Sequence, residues 1–270
     1  MNKLDAYKMD GLGNDFIIFD QRKYSKHLTK NQIIKIADRS NIGCDQVIFI
    51  NKAQSNDAYL TFYNSDGGEV GACGNGSRCV AYLLMKESKK EKISLKTKNR
   101  VLEAKLINDL VQINMGSPFF DWDKIPLIKK MDNKNIKIKI NNENKVGFAL
   151  NVGNPHIIFF VNNLDHYSLK KIGPELENHE YFPEKCNVTF ANIKNNNLIK
   201  VKVWERGAGL TKACGTAACA TAVAAFSSKL KNRSVDIEFD EGNLNIEWNL
   251  DNNIYMTGKV SEIKKIEVNI

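Results

Sequence analysis

The chain has 270 residues, 43% of them hydrophobic and 26% charged, an ordinary balance that supplies a sizeable core without a disulfide or metal staple. Lys and Arg outnumber Asp and Glu, 39 against 31. The lysines are scattered rather than gathered into a tract, so the charge argues against a nucleic-acid partner and for a positive field that suits an anionic substrate. No stretch approaches the ~18 apolar residues of a membrane span. Met1 to Asp10 lacks the apolar region of a signal peptide. The expectation is a cytoplasmic protein with no membrane partner.

In chain order, short segments of alternating apolar residues predict half-buried strands. In the first half they lie near 4–9, 16–20, 46–50, 57–63, 92–96, 101–107 and 110–115. In the second they lie near 136–140, 146–151, 156–161, 187–193, 198–204, 235–239, 243–248 and 254–257, with one more over 260–268. A short helix fits Asn31 to Arg39, with Ile33, Ile34 and Ile36 on one side. Longer helices are predicted over 74–89 and 215–230. Both are apolar around much of their circumference, which places them in the interior.

The halves repeat each other. Each runs through several strands, a polar turn, Ala-Cys-Gly opening a buried helix, and three further strands. An internal duplication explains this economically. The expected fold is α/β (α+β): two pseudo-symmetric domains, each a curved, mostly antiparallel sheet wrapped around a central helix. The expected boundaries are 1–117 and 118–259, with the last strand, about 260–270, free to return to the first half.

Six cysteines (44, 73, 79, 186, 214 and 219) sit in what the reading makes a reducing compartment, as thiols. None is spaced as C-x-x-C, so neither zinc nor any other metal is expected. Cys79 and Cys219 fit the inner faces of their helices as packing residues. Cys73 and Cys214 differ, because each immediately precedes a helix. There the free N–H groups and the positive dipole end favour a thiolate and can cradle a carboxylate. Gly74 and Gly215 let the backbone approach a bound group. Two acid–base groups, placed alike in two repeated halves, suit racemisation. One takes an α-proton from one face while its partner returns a proton to the other. No pyridoxal-binding lysine motif is evident, and no cofactor is expected.

Six blocks in order then carry a resemblance. They are MDGLGNDF (9–16), NIGCDQ (41–46), FYNSDGGEVGACGNGSRC (62–79), NVGNPH (151–156), CNVTFANI (186–193) and VWERGAGLTKACGTAACA (203–220). Over nearly its whole length the chain resembles the diaminopimelate epimerases. That family is pyridoxal-independent and interconverts LL- and meso-diaminopimelate on the bacterial route to lysine and peptidoglycan. The resemblance implies two pseudo-symmetric domains with the active site between them, and a homodimer. It makes Cys73 and Cys214 the acid/base pair. It assigns substrate contact to Asn14, Gln46, Asn64, Gly74, Asn75, Asn154, Asn187, Glu205, Arg206, Gly215 and Thr216. His156 and Glu205 match positions that influence cysteine protonation.

Residue by residue, Arg206 can fork onto a carboxylate and Glu205 can accept from an ammonium. Read alone, the pair would equally serve a strand-end salt bridge. Asn14, Asn64, Asn154 and Asn187 would equally serve turns, and His156 a hydrogen-bonded structural role. Cys44, Cys186 and Ala217 depart from the family's usual residues, and no chemistry is assigned to them. Two readings compete. A proline or hydroxyproline racemase would share the cysteine pair but leave Arg206 without purpose. A thiol-redox protein would cycle its sulfurs through a disulfide.

Overall fold

The computed structural model describes residues 3–23, 27–71 and 73–269. Ala72 of the first Ala-Cys-Gly and Ile270 of the expected last strand lie outside the described residues. Contacts divide the chain into two compact units, residues 1–114 with 257–270 and residues 115–256.

The first unit opens with β1 (Lys3–Gly11) and β2 (Asn14–Asp20), then α1 (Lys30–Ala37), β3 (Gln46–Asn51), β4 (Ala58–Asn64) and β5 (Glu69–Val70). Helix α2 (Gly74–Ser88) follows, then β6 (Lys92–Lys96), β7 (Val101–Ile107) and β8 (Leu110–Asn114). The second unit contains β9 (Ile136–Ile140), β10 (Glu143–Asn151), β11 (Pro155–Phe160), α3 (Leu169–Glu177), β12 (Asn187–Asn195), β13 (Leu198–Glu205) and β14 (Gly209–Thr211). Then come α4 (Gly215–Ser227), β15 (Ser234–Phe239), β16 (Gly242–Trp248) and β17 (Ile254–Gly258), and the chain closes with β18 (Lys264–Asn269). The fold is sheet-dominated α+β, as expected. The predicted strands and three helices form within a few residues of their expected bounds.

Pairing follows one scheme in both units. In the first, β1–β2 is antiparallel, β2–β3 parallel, β3–β4 and β4–β5 antiparallel, β4–β6 parallel, and β6–β7 antiparallel. In the second, β10–β11, β11–β12, β12–β13, β13–β14, β13–β15 and β15–β16 repeat that series. Even the flanking strand recurs, β18 on β1 and β9 on β10, both antiparallel.

Register makes the repeat residue-specific. Phe16 pairs with Gln46, and His156 pairs with Asn187. Gln46 pairs with Asn64, and Val188 with Trp204, which sets Asn187 opposite Glu205. The duplication thus equates Asn14 with Asn154, Phe16 with His156, Gln46 with Asn187, Asn64 with Glu205, and Cys73 with Cys214.

Why each helix sits inside its sheet follows from composition. Helix α4 reads GTAACATAVAAFS, and its small apolar side chains let strands close on every side. It packs against β10, β11, β12, β15 and β16, as α2 packs against β1, β2, β6, β7 and β8. A Cβ at Gly76 would meet Ile48, Phe16 and Phe62, so those strand residues face α2. The alternate residues Ile17, Phe19, Val47 and Phe49 pack with Ile33, Ile36 and Ala37 of α1. These middle strands are therefore buried on both faces. Their sequences read as continuous apolar runs rather than alternations.

Helix α3 went unpredicted because Gly173 and Pro174 interrupt its pattern. Tertiary packing supplies the reason for the glycine: a Cβ at Gly173 would lie 2.4 Å from the Trp204 indole. Alanine is the better helix former by about 1 kcal/mol, but here it must displace a half-buried ring packed against the core. Gly173→Ala should therefore lower stability by about 1–3 kcal/mol, measured by denaturant unfolding; an increase would contradict this packing.

Candidate active site

In the first unit, Cys73 stands at the N-cap of α2 in extended backbone (φ −141°, ψ 119°), and Cys73 O accepts the first helical bond from Ser77 N at 2.8 Å. The Gly76 N–H donates to Cys73 Sγ at 3.4 Å, putting an orphan donor of the helix start on the sulfur. The Cys73 thiol lies 3.8 Å from Asn14 Oδ1. Asn14, the first residue of β2, donates through Nδ2 to Asp45 Oδ2 at 2.9 Å. Because the amide nitrogen is committed to a carboxylate, the amide oxygen is turned toward the thiol.

Asp45 is itself fixed by Arg39 (2.6 Å) and by the Asp15 N–H (3.1 Å). Arg39 forks onto Asp15 at 2.8 and 2.7 Å, and Lys8 adds an ion pair to Asp15 at 3.4 Å. Burial raises the Asp15 carboxyl, and the Arg39 fork outweighs it to leave that carboxyl below its usual range. Gln46 Nε2 donates to Asn64 Oδ1 at 2.8 Å across the β3–β4 pair. Gly74 and the buried Asn75 form the first turn of α2.

In the second unit, Cys214 caps α4 with nearly the same backbone (φ −134°, ψ 114°), and Ala218 N donates to Cys214 O at 3.0 Å. Its sulfur lies 3.4 Å from the Thr216 hydroxyl. Burial drives the Cys214 thiol well above its ordinary range, and the Glu205 carboxylate drives it further. Thr216 and the Ala217 amide pull the other way and lose. Glu205 is also raised, by burial first, although the Thr211 hydroxyl donates to it at 2.6 Å. Burial thus disfavours the charged form of both the Glu205 carboxyl and the Cys214 thiol.

His156 is fully buried, and its Nε2 lies 2.9 Å from Asn154 Oδ1. Burial, then the Arg206 charge, lower its pKa to about 3, so the ring is neutral. With the proton on Nε2 it donates to Asn154 and leaves Nδ1 with no partner among the described residues. Asn187 donates to Pro155 O at 2.9 Å and accepts from Arg206 N at 3.0 Å. The exposed Arg206 donates through one guanidinium N–H to Glu184 O at 2.8 Å. Gly215 is the first residue of α4.

The site residues predicted from sequence thus cluster at one set of strand ends and one helix start within each unit. Asp45 and Thr211 were not singled out, although each lies inside a quoted block, Asp45 next to Gln46 and Thr211 three residues before Cys214. Of the remaining thiols, burial pushes Cys44 up to about 12 and pushes Cys79 and Cys186 up as well, so all three are packing residues. Cys219 is fully buried.

Each unit pairs a cysteine-capped helix start with strand-end amides, an arrangement able to exchange a proton beside a bound carboxylate. The fold is shared with a phenazine biosynthesis protein of the PhzF family from Bacillus anthracis (TM-score 0.71, 17% identity, all of both chains). It is shared also with a hydroxyproline epimerase from Agrobacterium vitis (TM-score 0.71, 12% identity, 99% of this chain and 91% of that one). The chain belongs to the diaminopimelate epimerase family, whose model matches residues 6–120 and 148–263. It is 56% identical to the diaminopimelate epimerase of Pelagibacter ubique over 99% of both chains. It is 42% identical to that of Phenylobacterium zucineum over 93% of this chain and 92% of the other.

Two outcomes test this electrostatic picture. Removing the negative charge in Glu205→Gln should lower the pKa of Cys214, so its thiolate absorbance appears at lower pH than in the parent chain; an unchanged titration would sever the coupling. His156 has a folded pKa below its ordinary 6.5, so the unfolded chain binds that proton more readily and stability falls as pH drops from 6.5 toward 3. The steepest contribution is about 1.4 kcal/mol per pH unit. His156→Phe should flatten that limb of a melting-temperature profile, and an identical slope would show the ring is already charged.

Proposed function

We propose that this chain epimerises LL-diaminopimelate to meso-diaminopimelate without pyridoxal, using Cys73 and Cys214 as the acid/base pair. The observation that carries the reading is the equivalence of the two cysteines, each capping a buried helix at the same step of a repeated topology. Membership of the diaminopimelate epimerase family supports the substrate and its place in lysine and peptidoglycan precursor synthesis.

In this reading the thiolate of one cysteine takes the α-proton, and the thiol of the other delivers its own proton to the opposite face. The configuration inverts, and the protonation states of the pair exchange. General base catalysis contributes only ~10²–10⁴-fold, so the charge that develops on the α-carboxylate must also be stabilised. The helix starts at Gly74–Asn75 and Gly215–Thr216 supply that, each helix end carrying roughly half a positive charge. Asn14, Gln46, Asn64, Asn154 and Asn187 orient the amino and carboxylate groups. Arg206 takes the distal carboxylate in a fork, and Glu205 accepts from an ammonium while holding the proton on Cys214. His156 stays neutral and fixes Asn154. The protein acts in the cytoplasm as a homodimer.

The test uses purified chain without added pyridoxal phosphate. LL-diaminopimelate in D₂O should gain deuterium at one α-carbon as the meso isomer forms, and proline should not exchange. Cys73→Ala and Cys214→Ala should each lose epimerisation by at least about 10³-fold while retaining the parent melting temperature. Exchange with proline alone would overturn the substrate. Activity surviving in either variant would overturn the mechanism.

A further inference from the structure

The last residue of α3, Glu177, carries a buried carboxylate (6% exposed) that the proposed proton transfer does not use. Its position is costly twice over. A carboxylate at a helix C-terminus faces the negative end of the dipole, and among the described residues no cation forms an ion pair with it. What it holds explains its retention. Glu177 Oε2 accepts from the Trp204 indole N–H at 2.7 Å, and Oε1 accepts from the Gly207 backbone N–H at 3.0 Å. Residues 204 and 207 bracket Glu205 and Arg206. The backbone oxygen of Glu177 also accepts from Cys186 N at 3.2 Å, the residue before Asn187.

The two ends of the bracket differ. The Trp204 ring is seated on Gly173 with no room for a Cβ, and Gly207 turns the chain at φ +75°. Asn187, placed next to Cys186, receives the Arg206 N–H. The Glu177 carboxylate thus ties α3 to both flanks of the Glu205–Arg206 pair, and its backbone oxygen ties α3 to the strand start that supports the pair.

Resting on the reading of Arg206 and Glu205 as substrate contacts, we propose that Glu177 is a positioning residue that sets the geometry in which this pair meets the substrate's distal amino-carboxylate end. Only an ionised carboxylate satisfies the clamp, because both partners are donors. Glutamine of the same shape can accept from one of them and presents its own N–H₂ to the other.

The experiment compares the parent chain with Glu177→Gln. Amide exchange at Gly207 should accelerate by at least about tenfold, reporting release of the loop. The KM for diaminopimelate should rise by about tenfold as the Arg206 fork is displaced, and kcat should fall by no more than that through the Glu205 contact with Cys214. Unchanged Gly207 exchange, or a fall in kcat at constant KM, would overturn the proposal. Trp204→Phe, which deletes one donor and leaves the carboxylate, carries the same measurements should Glu177→Gln fail to fold. If the parent chain leaves diaminopimelate untouched, the substrate reading falls. The Gly207 comparison still decides the clamp.

Discussion

A buried helix must do something with the N–H groups of its first turn, and that constraint organises both units. Neither α2 nor α4 can send these donors freely to water, because strands close around each helix. In α2 a cysteine sulfur takes one of them, and the same residue type stands at the same cap in α4. A serine or aspartate would cap more strongly by ordinary preference. Sulfur is the weaker acceptor but the better proton carrier, which is what the proposed proton transfer asks of this cap. Strand-end amides then gather around the two helix starts because the register leaves them nowhere else to point.

Duplication gives the two cysteines the same backbone but not the same electrostatics. Asn64 in the first unit corresponds to Glu205 in the second, and Phe16 corresponds to His156. The first sulfur faces a neutral amide whose orientation is enforced by an acidic and basic cluster around Asp45. The second faces a buried carboxyl. In the second unit, burial and the Glu205 charge drive the Cys214 thiol above its ordinary range.

Much of this was legible in the sequence, for reasons that also explain what was not. Period-two alternation located the outer strands, and the all-apolar helices announced their burial. The repeated Ala-Cys-Gly exposed the duplication. Helix α3 stayed hidden because its glycine answers to Trp204, a residue some thirty positions away, and no local pattern records that contact. The short strands β5 and β14 contain two and three residues, too few to show a period. Glu177 was invisible for the same reason as α3: an isolated glutamate looks solvated until its donors are seen. Asp45 and Thr211 lay within blocks that drew notice, yet only geometry shows which side chain they steady.

The middle strands, apolar on both faces, have a further consequence for how the chain finds its alignment. A one-step slip of β2 against β3 would exchange Ile17 for Ile18 and cost little in burial, since either face accepts an apolar side chain. What such a slip cannot tolerate is the loss of the Asn14–Asp45 bond, which exists in one alignment only, as the Gln46–Asn64 bond does for β3 against β4. The polar margin to which the proposed function assigns substrate contact therefore also acts as the indexing mark for assembly.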